Sequence, residues 1–401
     1  MIYLDNSATT YPKPLYVRQK MTEALRDFGA NPGRGGFPMS LKTAEEIYRV
    51  REKAASLFGA AQPEYVIFQP GCTQALNLVI RALKRGDHVI TTDLEHNAVL
   101  RPLKDMEKEG VTHTVVSVTP GDNDKTLDAF RKAIHENTKL FIVTHASNVW
   151  GIRVPIERLA ALAHVYGIEI CVDAAQSAGV LPLRIEEDGL DYVCFAGHKG
   201  LYGPMGTGML ITKHGDKLKS LIHGGTGTFA LDAAQPKDIP EGFESGTQNV
   251  PGIIALGAGL DFVKTKGIDT IRQHEFRVLS RLYDGLSKTE NIVLYTTRPG
   301  DPYFAPVLSF NVRGMESEAV GAALGEKGVA VRCGLHCAPG AHRKMNTVET
   351  FGGAVRLSPS VWTTPQDAEK ALSVIRAVCS TKKYQLIDKL SAPKISEGKI
   401  V

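Results

Sequence analysis

A chain of 401 residues with 43% hydrophobic and 22% charged content can bury a substantial core and is expected to fold as one large domain with a smaller one beside it. Its net charge of +4 is spread without a long basic run, which gives no reason to expect nucleic acid or an anionic membrane surface as partner. The only early apolar stretch, Met1 to Leu4, stops at Asp5, too short for a secretory segment or a membrane span, so the expected location is cytoplasmic.

From Tyr65 to Lys213 apolar β-rich runs alternate with helical periods, the pattern of an α/β fold with a mostly parallel sheet covered by helices. Seven strands are predicted, at Tyr65 to Phe68, His88 to Thr92, His113 to Val118, Leu140 to Thr144, Glu169 to Val172, Tyr192 to Phe195 and Gly208 to Thr212. Crossover helices are predicted where apolar residues recur three and four apart, at Ala75 to Leu83, Leu127 to Ile134 and Ile156 to Val165. After Asn249 long helical periods (Ile253 to Val263, Ile268 to Leu286) precede short strands near Asn291 to Tyr295, Val307 to Val312 and Ala330 to Arg332, and a last helix spans Pro365 to Val378. The expected division is a large α/β domain over residues 15–260, a small α+β domain made of 1–14 with 261–380, and a polar, Lys-rich tail over 381–401.

Chemistry gathers at the predicted strand ends, where an open α/β sheet binds its ligands. Pro70-Gly-Cys-Thr-Gln-Ala-Leu-Asn opens a helix directly after a strand. Gly71 permits close approach, and Cys72 and Thr73 offer N–H groups and a hydroxyl of the kind that bind phosphate, although an ordinary Thr-capped helix looks the same. Asp93-Leu-Glu-His-Asn ends another strand and projects His96 over the same crevice, where an imidazole can stack on a flat ring and move protons, or simply start a helix. Asp173 closes the strand Glu169-Ile-Cys-Val-Asp, with Gln176 three residues on. That pair reads either as a helix cap or as a carboxylate facing a pyridine nitrogen with a donor to the phenolic oxygen. Lys199 follows Tyr192-Val-Cys-Phe-Ala-Gly-His inside a Gly-rich turn. Partly removed from water, such a lysine has a lowered pKa and can form a Schiff base; taken alone it is more often a solvated surface cation. A phosphate-type helix start, a histidine, an aspartate and a lysine, presented in chain order, are the parts that hold pyridoxal 5'-phosphate (PLP).

With these residues in place the chain resembles the fold-type I, class V aminotransferase family, and within it the cysteine desulfurases and selenocysteine lyases. The resemblance runs from Tyr3-Leu-Asp-Asn-Ser-Ala-Thr-Thr through Asn31-Pro-Gly-Arg-Gly-Gly to Arg356-Leu-Ser. It implies a fold-type I architecture with a mostly parallel seven-stranded sheet and PLP as cofactor. Lys199 would carry the cofactor, Asp173 bind the ring nitrogen, His96 stack on the ring, Gln176 face the phenolic oxygen, and Cys72, Thr73 and His198 serve the phosphate. Thr247, in Phe243-Glu-Ser-Gly-Thr-Gln-Asn, is similar to a threonine that family members supply from the neighbouring subunit, which implies a homodimer with shared active sites.

Val331-Arg-Cys-Gly-Leu-His-Cys-Ala-Pro resembles the family's loop in which the last cysteine, here Cys337, attacks substrate sulfur. L-cysteine would yield L-alanine and a persulfide on Cys337, destined for an acceptor protein in sulfur metabolism such as iron–sulfur cluster assembly. Its thiol needs exposure and a neighbouring donor, for which His336 or a helix end is the expected source; otherwise it is a packed small hydrophobe. Arg356 and Asn148 match the family's pair for the substrate carboxylate, with Arg332 and Arg34 as weaker candidates. The six cysteines form no disulfide framework, and Cys333, Cys337, His336 and His342 lack the further ligands a zinc site would want, so no metal is expected. Three features depart from the family pattern: Ala196 in place of Ser or Thr, an apparent extra Gly200 after the lysine, and Cys333, read as a strand filler. Selenocysteine lyase or aminotransferase activity, and a non-catalytic sulfur-carrier scaffold, are the competing functions.

Overall fold

Strands β2 (Val66–Gln69), β3 (His88–Thr92), β5 (Thr138–Thr144), β6 (Glu169–Asp173), β7 (Tyr192–Ala196) and β8 (Gly208–Ile211) are buried along nearly their whole length, as expected of strands covered on both faces. The computed structural model describes residues 1–33, 35–227, 231–300 and 302–380. Arg34 and the tail over 381–401, both subjects of sequence expectations, lie outside them. With β4 (Thr112–Val116) the strands form one seven-stranded sheet in the order β2-β8-β7-β6-β5-β3-β4. β3, β4, β5, β6 and β7 pair in parallel, and β8 runs antiparallel to both β7 and β2. The register sets Thr144 opposite Asp173 and Asp173 opposite Cys194, so the carboxyl ends of three parallel strands share one edge.

Helices α3 (Cys72–Ile80), α4 (Asn97–Met106), α5 (Asn123–Lys132) and α6 (Ile156–Val165) cross over between strands. Two further helices, α1 (Leu15–Asp27) and α2 (Pro38–Phe58), precede the sheet and carry no counterpart among the predicted elements. α2 buries Ile47, Val50, Ala54 and Phe58 in the main core and also encloses Arg51, whose guanidinium pairs with buried Glu244 and so tolerates the interior.

Helices α7 (Val250–Lys266) and α8 (Ile268–Leu286) lead to a second, antiparallel sheet of order β12-β13-β10-β9, built from β9 (Ile292–Leu294), β10 (Leu308–Val312), β12 (Arg332–Gly334) and β13 (Ala354–Leu357). Helices α8, α9 (Ser317–Glu326) and α12 (Pro365–Cys379) close a separate core over it, containing Val278, Leu282, Phe310, Leu324, Val355 and Leu372. The single strand predicted at Ala330 to Arg332 divides: β11 (Val329–Ala330) pairs in parallel with β1 (Ile2–Tyr3), whereas β12 joins β13. Between β12 and β13 lie α10 (Pro339–Lys344) and α11 (Val348–Phe351). Among the described residues no helix is long and apolar enough to cross a membrane.

Candidate active site

Asp173, the last residue of β6, is buried, and both hydrogen bonds to its side chain converge on one oxygen: Ala175 N–H donates to Oδ1 at 2.9 Å and the Cys72 thiol at 3.3 Å. No donor among the described residues reaches Oδ2. Burial, then the neighbouring Asp173 charge, pushes the Cys72 thiol well up, so it stays a neutral donor. Its N–H and that of Thr73 belong to the first turn of α3, whose end carries unsatisfied donors by construction. The Thr73 side chain is exposed. Gly208 of β8 presses against that turn, a Cβ there coming within 2.6 Å of Gly71 Cα, so only glycine lets the two segments approach.

His96 caps α4, its Nδ1 accepting the Ala98 N–H at 3.0 Å, which assigns the proton of the neutral ring to Nε2. Burial lowers its pKa, with Asp173 opposing and Lys199, Arg101 and Arg356 adding to the drop. His96, Asp173, Lys199 and Arg356 thus lie within electrostatic reach of one another. The Lys199 amine is held below the ordinary lysine value by burial, offset in part by Asp173. Its loop is pinned through the His198 carbonyl, which accepts from Thr10 N–H at 3.1 Å, Thr9 Oγ1 at 3.1 Å and Lys13 Nζ at 2.6 Å. Gly200 packs so closely that a Cβ would sit 2.3 Å from the Ala178 carbonyl; the departure noted in the sequence is a close backbone crossing. Burial pulls His198 down to about 4, and its buried Nδ1 lacks a partner among the described residues. Gln176 Nε2 donates to the Ser7 carbonyl at 3.1 Å.

The Cys337 loop reaches the same edge from the second sheet. Asn97 N–H donates to the Cys337 carbonyl at 2.7 Å, and Asn148 Nδ2 to that of His336 at 2.7 Å. His336 and Cys337 both adopt left-handed φ values of 49° and 55°, a conformation that costs about 1–3 kcal/mol per residue and persists only when surroundings enforce it. The Cys337 side chain is exposed. The expectation that His336 serves as its donor is corrected: His336 is buried, its Nδ1 3.2 Å from His342 Nε2 and its Nε2 3.3 Å from the Arg332 carbonyl. Burial and the Arg356 charge hold it well below the usual imidazole range, so it is no cation. Arg332, five residues before Cys337, has its side chain half-exposed and paired with Asp5. Arg356, 2% exposed, donates from Nη1 to the Asn148 carbonyl at 2.9 Å and from Nη2 to Asp5 Oδ1 at 2.9 Å, and its Nε lacks a partner among the described residues. Thr247 is the outlier: it is exposed and lines a cavity of about 210 Å³ with Gln69, Pro70, Gln74 and Thr207, to which neither Lys199 nor Asp173 contributes. No group of three or more His, Cys, Asp or Glu suited to a metal occurs among the described residues.

Sequence reasoning passed over Asp5 and Glu95, each inside a motif already quoted. Glu95 is fully buried, accepts from Thr92 Oγ1 at 2.5 Å and Thr144 N–H at 2.9 Å through Oε1, and has an unpartnered Oε2. Burial pushes its carboxyl up to about 8 from an ordinary 4.5. The folded state therefore keeps a proton that the unfolded chain has shed, so this stabilisation is complete below about pH 4.5 and is lost as pH rises through about 8, by at most about 1.4 kcal/mol per pH unit. Glu95→Gln keeps the acceptor and removes the titration. Urea unfolding at about pH 5.5 and about pH 7.5 should show a smaller stability difference in the variant than in the parent; equal differences would mean that Glu95 is not this buried acid.

An open, mostly parallel sheet with a lysine, an aspartate and a histidine at one edge, and a smaller α+β unit reaching over it, defines an α/β enzyme of fold-type I architecture. Residues 2–370 match the family described as Aminotransferase class-V. A probable cysteine desulfurase of Methanothermobacter thermautotrophicus is 35% identical over 380 residues, 92% of each chain, and a cysteine desulfurase of Pectobacterium atrosepticum is 31% identical over 394 residues, 94% of this chain and 93% of that one. The apo structure of a cysteine desulfurase from Thermococcus onnurineus superposes with a TM-score of 0.87 at 32% identity, and an Escherichia coli cysteine desulfurase in its S-sulfonic acid form with 0.83 at 25%, each covering 94% of both chains. The chain belongs to the class-V aminotransferase family.

That family depends on PLP, and the residues fit the group. Asp173 Oδ2 is uncommitted, His198 Nδ1 is unpartnered, the first turn of α3 offers free N–H groups, and the Lys199 amine is depressed.

Proposed function

We propose that the chain is a PLP-dependent cysteine desulfurase, converting L-cysteine to L-alanine and passing the sulfur to Cys337 as a persulfide. When bound, PLP supplies an electron sink at the substrate's Cα. Lys199 would hold it covalently, Asp173 would face its ring nitrogen, His96 its ring and Gln176 its phenolic oxygen. The N–H groups of Cys72 and Thr73, with His198, would hold its phosphate. Arg356 and Asn148 would orient the substrate carboxylate. The Cys337 thiolate then attacks the substrate's γ-sulfur: an S–S bond forms, the Cβ–S bond breaks with its electron pair left on carbon, and that carbon takes a proton to become alanine. His96, with Nε2–H directed by its cap bond, is suited to hold or move a proton in the crevice.

The observation that carries this reading is an exposed thiol held in an enforced left-handed loop, tied by Asn97 and Asn148 to the segments that follow β3 and β5. A plain aminotransferase has no need of such a thiol. Relatives bearing the name cysteine desulfurase support it. The same thiol would serve L-selenocysteine. Thr247, which lines a cavity that Lys199 does not, would complete the phosphate site of a second copy, making the working form a homodimer. A persulfide-accepting protein in the cytoplasm, such as one of iron–sulfur cluster assembly, is the expected consumer.

Pure protein incubated with L-cysteine and a thiol reductant should release sulfide and alanine in equal amounts. Pyruvate with ammonia in their place would refute the persulfide step, and a preparation with no visible cofactor absorption would favour the scaffold reading.

A further inference from the structure

Arg332 and Arg356 stand directly opposite each other in the antiparallel pair β12–β13, a placement of like charges that is unfavourable by itself. Asp5 lies between them. Its Oδ1 accepts from Arg356 Nη2 at 2.9 Å, both of its oxygens accept from Arg332 Nε at 3.2 and 3.1 Å, and Arg332 Nη2 is 3.0 Å from Oδ2. A bridge between Asp5 and Ser358, two residues beyond Arg356, and the Asn6 amide on the Ser358 carbonyl at 2.9 Å fix the carboxylate there. The group of three carries one net positive charge.

The two arginines differ in reach. Arg356 is enclosed, whereas Arg332 is half-exposed at the start of the Cys337 loop, which folds back on it through the His336 ring at 3.3 Å from the Arg332 carbonyl. On the reading above, a substrate whose carboxylate meets Arg356 extends its side chain toward Cys337, hence toward Arg332. A free guanidinium there would grip a second carboxylate through its fork. We propose that Asp5 is a specificity-determining residue: by filling the fork of Arg332 it leaves the pocket a single positive charge and restricts it to amino acids with one carboxylate, excluding acidic side chains. An incoming side-chain carboxylate meets an arginine already neutralised and the Asp5 charge behind it.

The test uses PLP-loaded wild type, Asp5→Asn and Asp5→Asn/Arg332→Gln, titrated with L-alanine and with L-aspartate while the cofactor's visible absorption is followed. Wild type should bind alanine at least about tenfold more tightly than aspartate; Asp5→Asn should shrink that ratio by about tenfold or more, and the double variant should restore it. A ratio left unchanged in Asp5→Asn overturns the proposal, since a purely structural Asp5 would weaken both ligands alike. Arg332→Gln alone reads the same balance from the other side: the net charge falls to zero, alanine should bind about tenfold more weakly with no gain for aspartate, and unchanged alanine affinity also overturns it. Sulfide and alanine release from L-cysteine by the same wild-type preparation reports on the underlying reading separately, so the two failures are distinguishable.

Discussion

Lys199→Ala should yield a folded protein from which borohydride reduction fixes no cofactor to the chain, and whose turnover of L-cysteine is lower by on the order of 10⁴-fold or more. The size of the effect follows from what the site concentrates on one amine. Burial holds Lys199 below the ordinary lysine value while Asp173 pulls the other way, leaving a larger unprotonated, nucleophilic fraction at neutral pH than an exposed lysine has. The loop around it is fixed by donors to the His198 carbonyl and by the Gly200 crossing, and the Lys13 amine is already engaged there by the His198 carbonyl and Thr10 Oγ1. Lys199→Arg separates charge from chemistry: it keeps a cation and should lose as much as the alanine variant. Absorption before and after reduction, the mass of the intact chain and turnover together check the prediction. Covalent retention of the cofactor in Lys199→Ala would sink the assignment.

The parts of this site legible in the sequence are those set by one strand and the turn that follows it. Asp173 closes β6, Lys199 follows β7 by three residues and His96 starts the helix after β3; local pattern locates each, and the parallel pairing of those strands brings them to one edge. What escaped depends on register and burial across distant segments. That Arg332 faces Arg356, and that Asp5 sits between them, follows from β12–β13 pairing and from the N-terminal segment lying beside Ser358, over sequence separations that no local period encodes. His336 misleads for the same reason. Beside Cys337 in sequence it looks like the thiol's donor, but its left-handed backbone and its hydrogen bonds to His342 and the Arg332 carbonyl bury the ring away from that role. Glu95 is adjacent to His96 in the quoted motif, and only the packing around Thr92 and Thr144 reveals it as a buried acid.

Cys337→Ser should abolish sulfide release from L-cysteine, by on the order of 10³-fold or more, while leaving the cofactor's absorption and the affinity for L-alanine within about twofold of wild type. Serine preserves size and a polar tip, and the exposed side chain at position 337 makes no hydrogen bond among the described residues whose loss would disturb the loop; the backbone bonds from Asn97 and Asn148 remain. What disappears is the sulfur that accepts sulfur. Cys333→Ser is the matched control. That thiol is half-buried in β12, pushed up to about 12 mainly by burial, and fills the space beside Gly321, where a Cβ would come within 2.2 Å of it; its replacement should leave turnover nearly intact at some cost in stability. The pair of variants divides the competing functions. If an aminotransferase reaction were the natural one, both would turn over alike with Lys199 still essential, because nothing in that chemistry needs a second nucleophile. A desulfurase must lose its product with Cys337 and keep its cofactor. That combination of outcomes requires the thiol to act after substrate is bound, at the position where the loop meets the segment that follows β3.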